Sequence, residues 1–465
     1  MHRHAPDNTK NQIGKTEMNI YHKFFWAFLL LLPLTVSSQS DTLSPQSAVK
    51  DSSLFKSGDY IAKTGYSLAP LPEFMIDPFI GLYLGIYPTI FDYGDGKIYP
   101  NYYRSLTISA AYGTKGKTNF GLEFINYGNR IFYAKINYTR ATLYPFYGYN
   151  GYQTLYNADF QDETKADYIT APFYNYHQEV TRLNMYLQDT IKNTFFNWQI
   201  GIDFAYYSTS RVDFDKLNKG VDSTELLPDV PTLYDYYVGW GLIDDKEKDG
   251  GWANALRIAL VYDTRDRLTN PMHGIWTDFT VRFTPVFFGN RNQAVQLALT
   301  HRQYMTIIKE KLSFAYRLRY DACFGDLPFY TRQVLADGSE GLGGTNTLWG
   351  IHQNRILTKQ FAMGNFELRV KMFRFRFVQQ NWYLAAVPFF HTGYLIERSD
   401  IDLSGVGQQD REKYFTTSGN KWYSAFGFGG KIVMNENTVI GLDWGHSINS
   451  GAGNDAIYVG YGYSF

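Results

Sequence analysis

The feature that most constrains this chain is an alternation of period two in which charged residues sit inside otherwise apolar segments. In residues 275–283, Phe279 and Val281 share one side of an extended chain, while Asp278 and Arg282 share the other. The same alternation recurs at 106–110, 120–126, 256–261, 366–372 and 456–465. It predicts β-strands that each have one apolar and one polar face.

The alternation alone does not say which face is buried, because a soluble β-sandwich hides its apolar face and a membrane barrel exposes it to lipid. Two features favour the barrel. Residues 24–36 form an apolar run that follows Lys23 and precedes the small residues Ser37 and Ser38, which is typical of a signal peptide. The chain also ends on an aromatic residue, Phe465. We therefore predict an all-β fold, a transmembrane antiparallel β-barrel.

Composition agrees with this choice and excludes other classes. The chain has 39 Tyr, 35 Phe and 41 Gly and a mean hydropathy of −0.32, so it lacks the long apolar runs that a helical membrane protein needs. A formal net charge of zero argues against a nucleic-acid partner. The lone Cys323 cannot form an intrachain disulfide, and no cysteine stands at the cleavage point to accept a lipid.

The sequence divides into three parts. Residues 1–38 are predicted to be a cleaved signal peptide, with Met18 as an alternative start, and an uncleaved anchor is disfavoured because the apolar run is shorter than the ~20 residues of a spanning helix. Residues 39–60 are rich in Ser, Asp, Lys and Gln and are predicted to form a disordered periplasmic leader. Residues 61–465, which show no composition break, are predicted to form an outer-membrane β-barrel.

Counting the alternating segments predicts sixteen strands, the even number that a single-chain bacterial barrel requires. The long connections follow odd-numbered strands and the short ones follow most even-numbered strands, as expected when both termini are periplasmic. The predicted strands are 61–75, 80–91, 103–114, 117–127, 129–141, 169–189, 194–212, 252–263, 274–288, 292–306, 310–323, 362–373, 380–396, 420–433, 437–447 and 455–465.

Two parts of the C-terminal half resemble the membrane domain of the BamA/TamA superfamily, also called the bacterial surface antigen family. The first is similar to the family's strand, polar periplasmic turn and Pro-x-x-Gly restart, and it comprises Asp263, Arg265, Asp266, Pro271 and Gly274. The second lies in the longest late loop and resembles the extracellular loop that folds back into the lumen of family members. Its tip comprises Leu348, Trp349 and Gly350, with Arg355 following.

Two later strands resemble those that follow this loop in the family. One carries Glu367 and Arg369, which the resemblance places on the lumenal wall, and the next carries His391. In the family a loop Arg and a wall Asp attract each other and pin the loop, but here Trp349 and His391 stand at those positions. Losing one partner alone would strand a charge, so we expect Trp349 to pack near His391 with the loop still tucked inwards. The alternative is a loop without a partner.

The last strand resembles the sorting signal that the barrel-assembly machinery reads on outer-membrane barrels, and its aromatic residues are Tyr461, Tyr463 and Phe465. This resemblance implies that the machinery is a partner in the protein's own biogenesis. A simple amphipathic closing strand is the compatible alternative. Gly460 and Gly462 would let this strand bend or pair weakly, as the seam of a laterally opening insertase requires, although inward-facing glycines also merely make room.

The family resemblance implies a role in outer-membrane protein insertion or export within a larger complex. Residues 39–60 are too short for the family's periplasmic POTRA domains, so we expect a member without them. The expected partners are outer-membrane lipid and other outer-membrane or periplasmic proteins. The alternative is a passive channel or receptor barrel on the same scaffold.

Motifs for catalysis or cofactor binding are missing from the sequence. It has no G-x-S-x-G elbow, H-E-x-x-H motif, cysteine pair or Walker loop. We therefore expect no enzymatic activity, no cofactor and no metal site. A dispersed enzyme at the barrel rim would need a His with an acidic or Ser partner within hydrogen-bond reach at one mouth.

Overall fold

The computed structural model describes residues 61–77, 81–149, 155–344, 347–399, 401–416, 419–449 and 451–465. The predicted signal peptide and leader lie outside the described residues. The described chain is mostly strand and forms one antiparallel sheet of nineteen strands. No helix in these ranges combines the length and the apolar character that crossing a membrane would take.

The strands are β1 (Tyr66–Ala69), β2 (Pro72–Asp77), β3 (Gly81–Ile86), β4 (Thr89–Asp92), β5 (Arg104–Gly113), β6 (Thr118–Tyr127), β7 (Ile131–Pro145), β8 (Asn175–Thr190), β9 (Phe196–Ser210), β10 (Gly250–Trp252), β11 (Ala255–Asp263), β12 (Gly274–Thr284), β13 (Ala294–Ile308), β14 (Leu312–Gly325), β15 (Thr358–Phe377), β16 (Gln380–Arg398), β17 (Trp422–Met434), β18 (Thr438–Ser447) and β19 (Ala456–Tyr461). The helices are α1 (Phe214–Asn218), α2 (Leu233–Gly239) and α3 (Gln408–Tyr414), with 3-10 turns at Ala158–Gln161, Val286–Phe288 and Phe329–Thr331.

The strands pair in chain order. From β5 to β9 each strand pairs with the next, β9 pairs with both β10 and β11, and pairing then continues strand by strand to β19. The first hairpin pairs β1 with β4 and β2 with β3, and β5 receives both β3 and β4. The paired series therefore ends at the first hairpin on one side and at β19 on the other.

Every one of the sixteen predicted segments coincides with strand structure, and three of them are divided in two. Pro70 separates β1 from β2, which begins at Pro72, and Pro88 separates β3 from β4, because proline has no N–H to donate to a ladder. Between β10 and β11, the Asn254 side chain accepts the Ala205 amide at 3.2 Å in place of a regular ladder bond. These three breaks account for the nineteen strands.

The two faces of the sheet differ in polarity. On β11, Ile258 is 59% exposed, whereas its neighbour Arg257 is 8% exposed. We call the apolar, exposed side the outer face and the polar, buried side the inner face. This is the polarity of a sheet whose outside contacts lipid. Other buried charged residues on the strands include Asp203, Arg282, Arg317, Arg319, Asp321, Glu367, Arg369, Lys371, Lys431 and Asp443.

Several of the buried charges form ion pairs on the inner face. Arg369 lies 2.8 Å from Glu367, and Lys431 lies 2.7 Å from Asp443. Removing one member of such a pair would leave the other charge buried without a counter-ion, which is costly. The inner face is thus an electrostatically matched surface, and the pairs constrain which side chains can be changed alone.

The connections differ in length at the two ends of the strands. The short-turn end carries the connections 93–103, 128–130, 191–195, 264–273, 309–311, 378–379 and 435–437. The opposite end, which we call the long-loop end, carries four extended connections between strands, namely 146–174, 211–249, 326–357 and 399–421.

The long-loop end contains a dense aromatic cluster, which we call the aromatic cap. Phe146 packs edge-on against Tyr237 with ring centroids 5.1 Å apart, and Phe173 packs edge-on against Tyr174 at 4.9 Å. The cluster draws residues from all four extended connections and therefore joins them. Its buried members include Phe146, Tyr149, Phe160, Phe173, Tyr174, Tyr176, Leu233, Tyr234, Tyr237, Phe329, Tyr330, Tyr414 and Phe415.

Candidate functional site

One of the extended connections, residues 326–357, packs against the inner face, and we call it the inward loop. Isolated β-bridges join Val334 to Glu340 and Leu342 to Ile356. Its apolar side chains form a core with strands β15 to β17, which holds the loop against the wall. The buried residues of this core are Leu335, Leu342, Leu348, Ile351, Ile356, Phe361, Met363, Leu395, Tyr423 and Ala452.

Acidic residues of the inward loop pair with arginines of the strands. Glu340 accepts a hydrogen bond from Arg182 on β8 and another from the Tyr144 hydroxyl at 2.9 Å. Asp337 accepts from Arg319 on β14 at 2.6 Å. Burial alone would raise the pKa of Asp337, but the charge and hydrogen bond of Arg319 hold that pKa well below its usual range. These contacts fix the loop electrostatically on a second side.

The tip of the inward loop brings Trp349 and His391 together. The Trp349 backbone N–H donates to His391 Nδ1 at 3.3 Å, and the two rings meet edge-on at 5.7 Å. Phe389 and Tyr458 pack against the same indole at 5.0 and 5.7 Å, and the Lys431 ammonium lies 5.1 Å from its centroid. The tip therefore contacts β16, β17 and β19 through a ring-based contact at the position where the family resemblance implies an ion pair.

Gly350 lets the tip approach the wall closely. Its φ is +90°, and a Cβ added there would lie 2.9 Å from the His446 carbonyl carbon. Its N–H donates to the Tyr458 hydroxyl of β19 at 2.8 Å. Glycine is therefore required at this position for both conformation and space.

Arg355 and His352 follow the tip and enter the aromatic cap. The Arg355 guanidinium lies 5.6 Å from the ring centroids of both Tyr147 and Tyr156, and its Nε donates to the Gly451 carbonyl at 3.2 Å. His352 stacks on Tyr147 at 5.8 Å. Burial and the charge of Arg355 lower the pKa of His352 to about 4. At neutral pH this imidazole is therefore uncharged.

The turn motif predicted from the sequence is a compact structure at the short-turn end. Arg265 donates to both carboxylate oxygens of Asp263, at 2.9 and 3.0 Å, and lies 4.3 Å from the Trp276 ring centroid. Asp266 accepts the backbone amides of Met272 and His273 at 3.0 and 3.1 Å. The turn also includes Pro271, which is buried, and it ends at Gly274, the first residue of β12.

The two ends of the strand series meet at a seam between β2 and β19. Each of these strands has a six-residue register with its other neighbour, and β2 and β19 are neighbours in the sheet. The Tyr461 hydroxyl donates to the Pro72 carbonyl at 2.8 Å, and the Tyr461 ring stacks on Tyr87 at 5.4 Å. The Tyr461 side chain therefore joins the first and last strands of the series.

After β19 the chain leaves the sheet and turns onto the inner face. We call residues 462–465 the C-terminal tail. Gly462 has a φ of +99°, a conformation that glycine adopts without strain. Tyr463 then contacts β16 and β17, Ser464 contacts β15, and Phe465 contacts β14 and β13. The tail therefore crosses the inner wall away from the seam.

This path differs from the predicted last strand, 455–465. The strand ends at Tyr461, whose side chain is on the outer face with Ile457 and Val459, whereas Tyr463 and Phe465 are on the inner face. The residues of the wall that receive the tail include Glu367 and Arg369, the two residues that the family resemblance places on the lumenal wall. No pattern in residues 455–465 predicts that the tail binds them.

Cavities remain on the inner face beside the inward loop. One of about 430 Å³ is lined by Lys135, Tyr186 and Arg257 of strands β7, β8 and β11 together with loop residues 337–339. Another of about 390 Å³ lies nearer the long-loop end. Within the described ranges, no group of three or more His, Cys, Asp and Glu side chains is placed to hold a metal ion.

At the rim, His446 has the acidic partner within hydrogen-bond reach that a dispersed enzyme would need. His446 Nδ1 lies 2.9 Å from Asp455 Oδ1 at the long-loop end, and its ring stacks on Trp444 at the outer face. In the part of the chain that the structure describes, no hydroxyl side chain hydrogen-bonds to His446. We therefore assign no catalytic role to His446 and Asp455.

The apolar outer face, the charged inner face and the inward loop together define an outer-membrane protein of the β-barrel class. Sequence comparison then gives the family: the Omp85 superfamily domain matches residues 104–465. Because this match covers more than three quarters of the chain, the protein belongs to the Omp85 superfamily. The family predicted from the turn, loop and strand motifs is thereby confirmed.

Comparison with solved structures finds three similar chains at low identity. BamA from Haemophilus ducreyi lacking POTRA domains 1–3 is 13% identical, with a TM-score of 0.46 over 85% of this chain and 69% of that one. CdiB from Escherichia coli is 10% identical, with a TM-score of 0.46 over 85% of this chain and 61% of that one. CdiB from Acinetobacter baumannii is 11% identical, with a TM-score of 0.41 over 82% of this chain and 56% of that one. No curated protein matches.

Proposed function

We propose that this protein takes part in the insertion or export of outer-membrane proteins, as a component of a larger membrane complex and in contact with outer-membrane lipid. The observation that carries the proposal is the seam between β2 and β19. In this proposal the short-turn end faces the periplasm and the long-loop end faces the cell exterior.

The seam supports the proposal because the first and last strands of the series meet there, so parting them opens the series without separating two consecutive strands. Separating two paired strands breaks a ladder of backbone hydrogen bonds, each worth about 0.5–1.5 kcal/mol net. Parting β2 from β19 breaks the Tyr461 contacts with Pro72 and Tyr87. It exposes two strand edges, which are templates for pairing with an incoming strand.

The contents of the inner face favour this role over that of a steady pore. The inward loop fills one side of the space enclosed by the sheet, and the C-terminal tail lies along the wall beside it. The aromatic cap covers the long-loop end. A passive channel would need a continuous path past these three elements.

Crosslinking across the seam tests the proposal. Cysteines placed at Tyr461 and Pro72, in a Cys323→Ser background, would be joined by a short bis-maleimide so that β2 and β19 cannot separate. We expect the crosslinked protein, reconstituted in liposomes, to lose most of its ability to promote insertion of an unfolded outer-membrane barrel, and the uncrosslinked double variant to retain it.

The matched control places cysteines at Leu442 and Val459, which face each other within the β18–β19 ladder and are both exposed on the outer face. Crosslinking this pair leaves the seam untouched, so insertion should continue. Equal insertion by both crosslinked proteins would show that seam opening is not used and would count against the proposal.

A further inference from the structure

We propose that the cavity of about 430 Å³ on the inner face is a binding site for a small organic anion, of the size of a sugar that carries a phosphate or carboxylate group. This inference goes beyond the proposed function and does not depend on it. A volume of this size is within the range of small-molecule sites in proteins. The residues around the cavity give the chemical class of the ligand.

The wall of the cavity is rich in hydrogen-bond donors. Its floor consists of three pairs of residues that lie directly opposite each other on β7 and β8, and loop residues 337–339 border it on another side. Among the described residues that line it, all except Asp337 and Gly338 have a side chain that can donate a hydrogen bond, and none is aliphatic. The floor pairs are Tyr133 with Tyr186, Lys135 with Asn184 and Asn137 with Arg182.

The neighbouring cavity of about 390 Å³ has a different lining. Apolar side chains such as Ala141, Leu143 and Val180 stand there among the polar ones. The donor-rich surface is thus a property of the first cavity and not of the inner face in general. Such a surface favours a ligand with several acceptor oxygens.

Acidic side chains at the first cavity already have cationic partners, so they do not repel an anion as free carboxylates would. The pairs are Asp337 with Arg319 at 2.6 Å, Glu123 with Lys135 at 2.9 Å and Glu340 with Arg182.

Arg257 lines the cavity and has no carboxylate within ion-pair distance among the residues that the structure describes. It is 8% exposed. Its Nη1 donates to the Asp337 carbonyl at 2.8 Å, and its Nε has no hydrogen-bond partner within the described chain. A buried charge without a counter-ion is costly. A bound anion would supply that counter-ion, and the planar guanidinium matches the oxygens of a carboxylate or phosphate.

Gly201 gives the Arg257 side chain its place at the cavity. In the cross-strand row, Gly201 of β9 stands between Arg257 of β11 and Tyr186 of β8. A Cβ added at Gly201 would lie 2.8 Å from the Met185 carbonyl oxygen and 3.5 Å from Arg257 Nε. Because glycine leaves this space open, the guanidinium extends across β9 and lies 5.4 Å from the Tyr186 ring centroid. The charge is thereby held over the floor of the cavity.

A ligand in this cavity would contact the wall and the inward loop together. Loop residues 337–339 line the cavity, and the Asp337 carbonyl is bonded to Arg257 of the wall. A ligand that contacts both sides binds the docked loop better than the undocked loop, so it stabilises the docked loop by mass action. Ligand binding and loop docking are therefore coupled.

Isothermal titration calorimetry of the refolded full-length protein tests the proposal. The anionic probes are glucose 6-phosphate and glucuronate, and glucose is the neutral probe. We expect an anionic probe to bind saturably and glucose to bind at least roughly tenfold more weakly, because it cannot form charge-assisted hydrogen bonds. The anionic probe that binds more tightly identifies the charged group of the ligand.

Two variants and a matched control make the test specific. Arg257→Gln should weaken binding of the anionic probe by roughly tenfold or more. Asn137→Trp fills the cavity and changes no charge, so it should abolish binding, and it serves as the test if Arg257→Gln does not refold. The control Lys117→Gln removes a charge from the neighbouring cavity and should bind as the wild type does. The bound probe should also slow proteolysis of the inward loop in the wild type.

The proposal is overturned if neither anionic probe binds, if glucose binds as tightly as they do, or if the Arg257→Gln and Asn137→Trp variants bind like the wild type. Equal weakening by Lys117→Gln and Arg257→Gln would also overturn it, because any positive charge on the inner face would then suffice. The proposed function is tested separately, since the seam crosslink is read out by insertion and not by binding of these probes.

Discussion

Trp349 is the residue at which this chain departs most from the ionic contact expected in its family. Its indole is 5% exposed and is enclosed by Phe389, His391 and Tyr458, with the Lys431 ammonium over the ring. A cation over an aromatic face is favourable, whereas a cation beside another cation is not. The environment of the tip is therefore matched to an aromatic side chain and mismatched to an arginine.

We predict that Trp349→Arg alone destabilises the fold by about 3–5 kcal/mol, because it buries a charge without a counter-ion beside Lys431. The double variant Trp349→Arg with His391→Asp supplies that counter-ion and should recover part of the loss. Urea unfolding of the four proteins in the cycle, refolded in the same detergent, gives the coupling energy. Additive effects of the two substitutions would mean that the positions do not interact.

The lowered pKa of His352 leads us to predict that the inward loop docks less tightly at low pH. Its pKa is lowered to about 4, from 6.5 in an unfolded chain, by burial and by Arg355, and its other neighbours are the rings of Tyr147 and Tyr156. The folded state thus binds this proton less readily than the open state does. The contribution of His352 to loop docking is complete above about pH 6.5 and falls as pH decreases towards 4.

Limited proteolysis of the inward loop at pH 7.5 and pH 5 measures this effect, and cleavage should be faster at pH 5. The variant His352→Gln cannot be protonated in this range, so its cleavage rate should change less between the two conditions. A wild type and variant with the same pH dependence would show that another group governs the loop.

At the scale of elements, two N-terminal segments, residues 61–65 and 93–103, contact the C-terminal strands at the short-turn end. Residues 61–65 run from β1 towards the turn between β15 and β16, where Asn381 accepts the Ile61 amide at 3.1 Å and donates to its carbonyl at 2.8 Å. Asn381 also donates to the Tyr99 hydroxyl of the 93–103 connection at 3.0 Å. One buried side chain therefore ties both N-terminal segments to the C-terminal strands.

We predict that Asn381→Ala loosens both segments, because each buried hydrogen bond left unmade costs about 1–3 kcal/mol. Hydrogen exchange of backbone amides at 61–65 and 93–103 should increase by one to two orders of magnitude, on the order of the open fraction that such a cost implies. Asn290→Ala, at a buried asparagine of the long-loop end whose side chain donates to the Asn254 and Pro285 carbonyls, is the control and should leave both segments protected. If the exchange rates of these amides are unchanged in Asn381→Ala, contacts other than those of Asn381 hold the two segments in place.

The strands were predictable because their period is local and their two faces differ in polarity. The divisions at Pro70 and Pro88 were not predicted, and proline alone does not mark such a break, since Pro388 lies inside β16. The residue at which the last strand ends was not predictable from the sequence. Tyr461, Tyr463 and Phe465 keep the alternation to the terminus, and what removes the tail from the sheet is its contact with side chains about a hundred residues earlier in the chain.

The candidate site was predictable to the extent that family motifs marked its residues. Trp349 and His391 could be paired because the resemblance placed each at one half of a known contact. The aromatic cage around Arg355 was not predictable, since Tyr147 and Tyr156 lie some two hundred residues away and in a connection whose pattern is neither strand nor helix. Contacts between loops that are far apart in the chain do not produce a periodic residue pattern, so the sequence does not predict them.

At the scale of the whole molecule, the enclosed face is occupied from three directions. The aromatic cap covers the long-loop end, the inward loop binds the wall through Glu340 and Asp337, and the C-terminal tail lies over Glu367 and Arg369. Each of these elements lies outside the strand ladders of the sheet. Removing one should therefore open a path without unfolding the sheet.

Single-channel recordings in planar bilayers test this arrangement. We predict that the refolded wild type conducts little and that deletion of residues 342–355 gives a large, steady conductance, because the loop core and the Trp349 tip are lost together. The matched control deletes 401–416, an extended connection that contributes to the aromatic cap and not to the inward loop, and it should conduct far less than the 342–355 deletion. A large steady conductance in the wild type would instead show a continuous path past the loop and favour a passive pore.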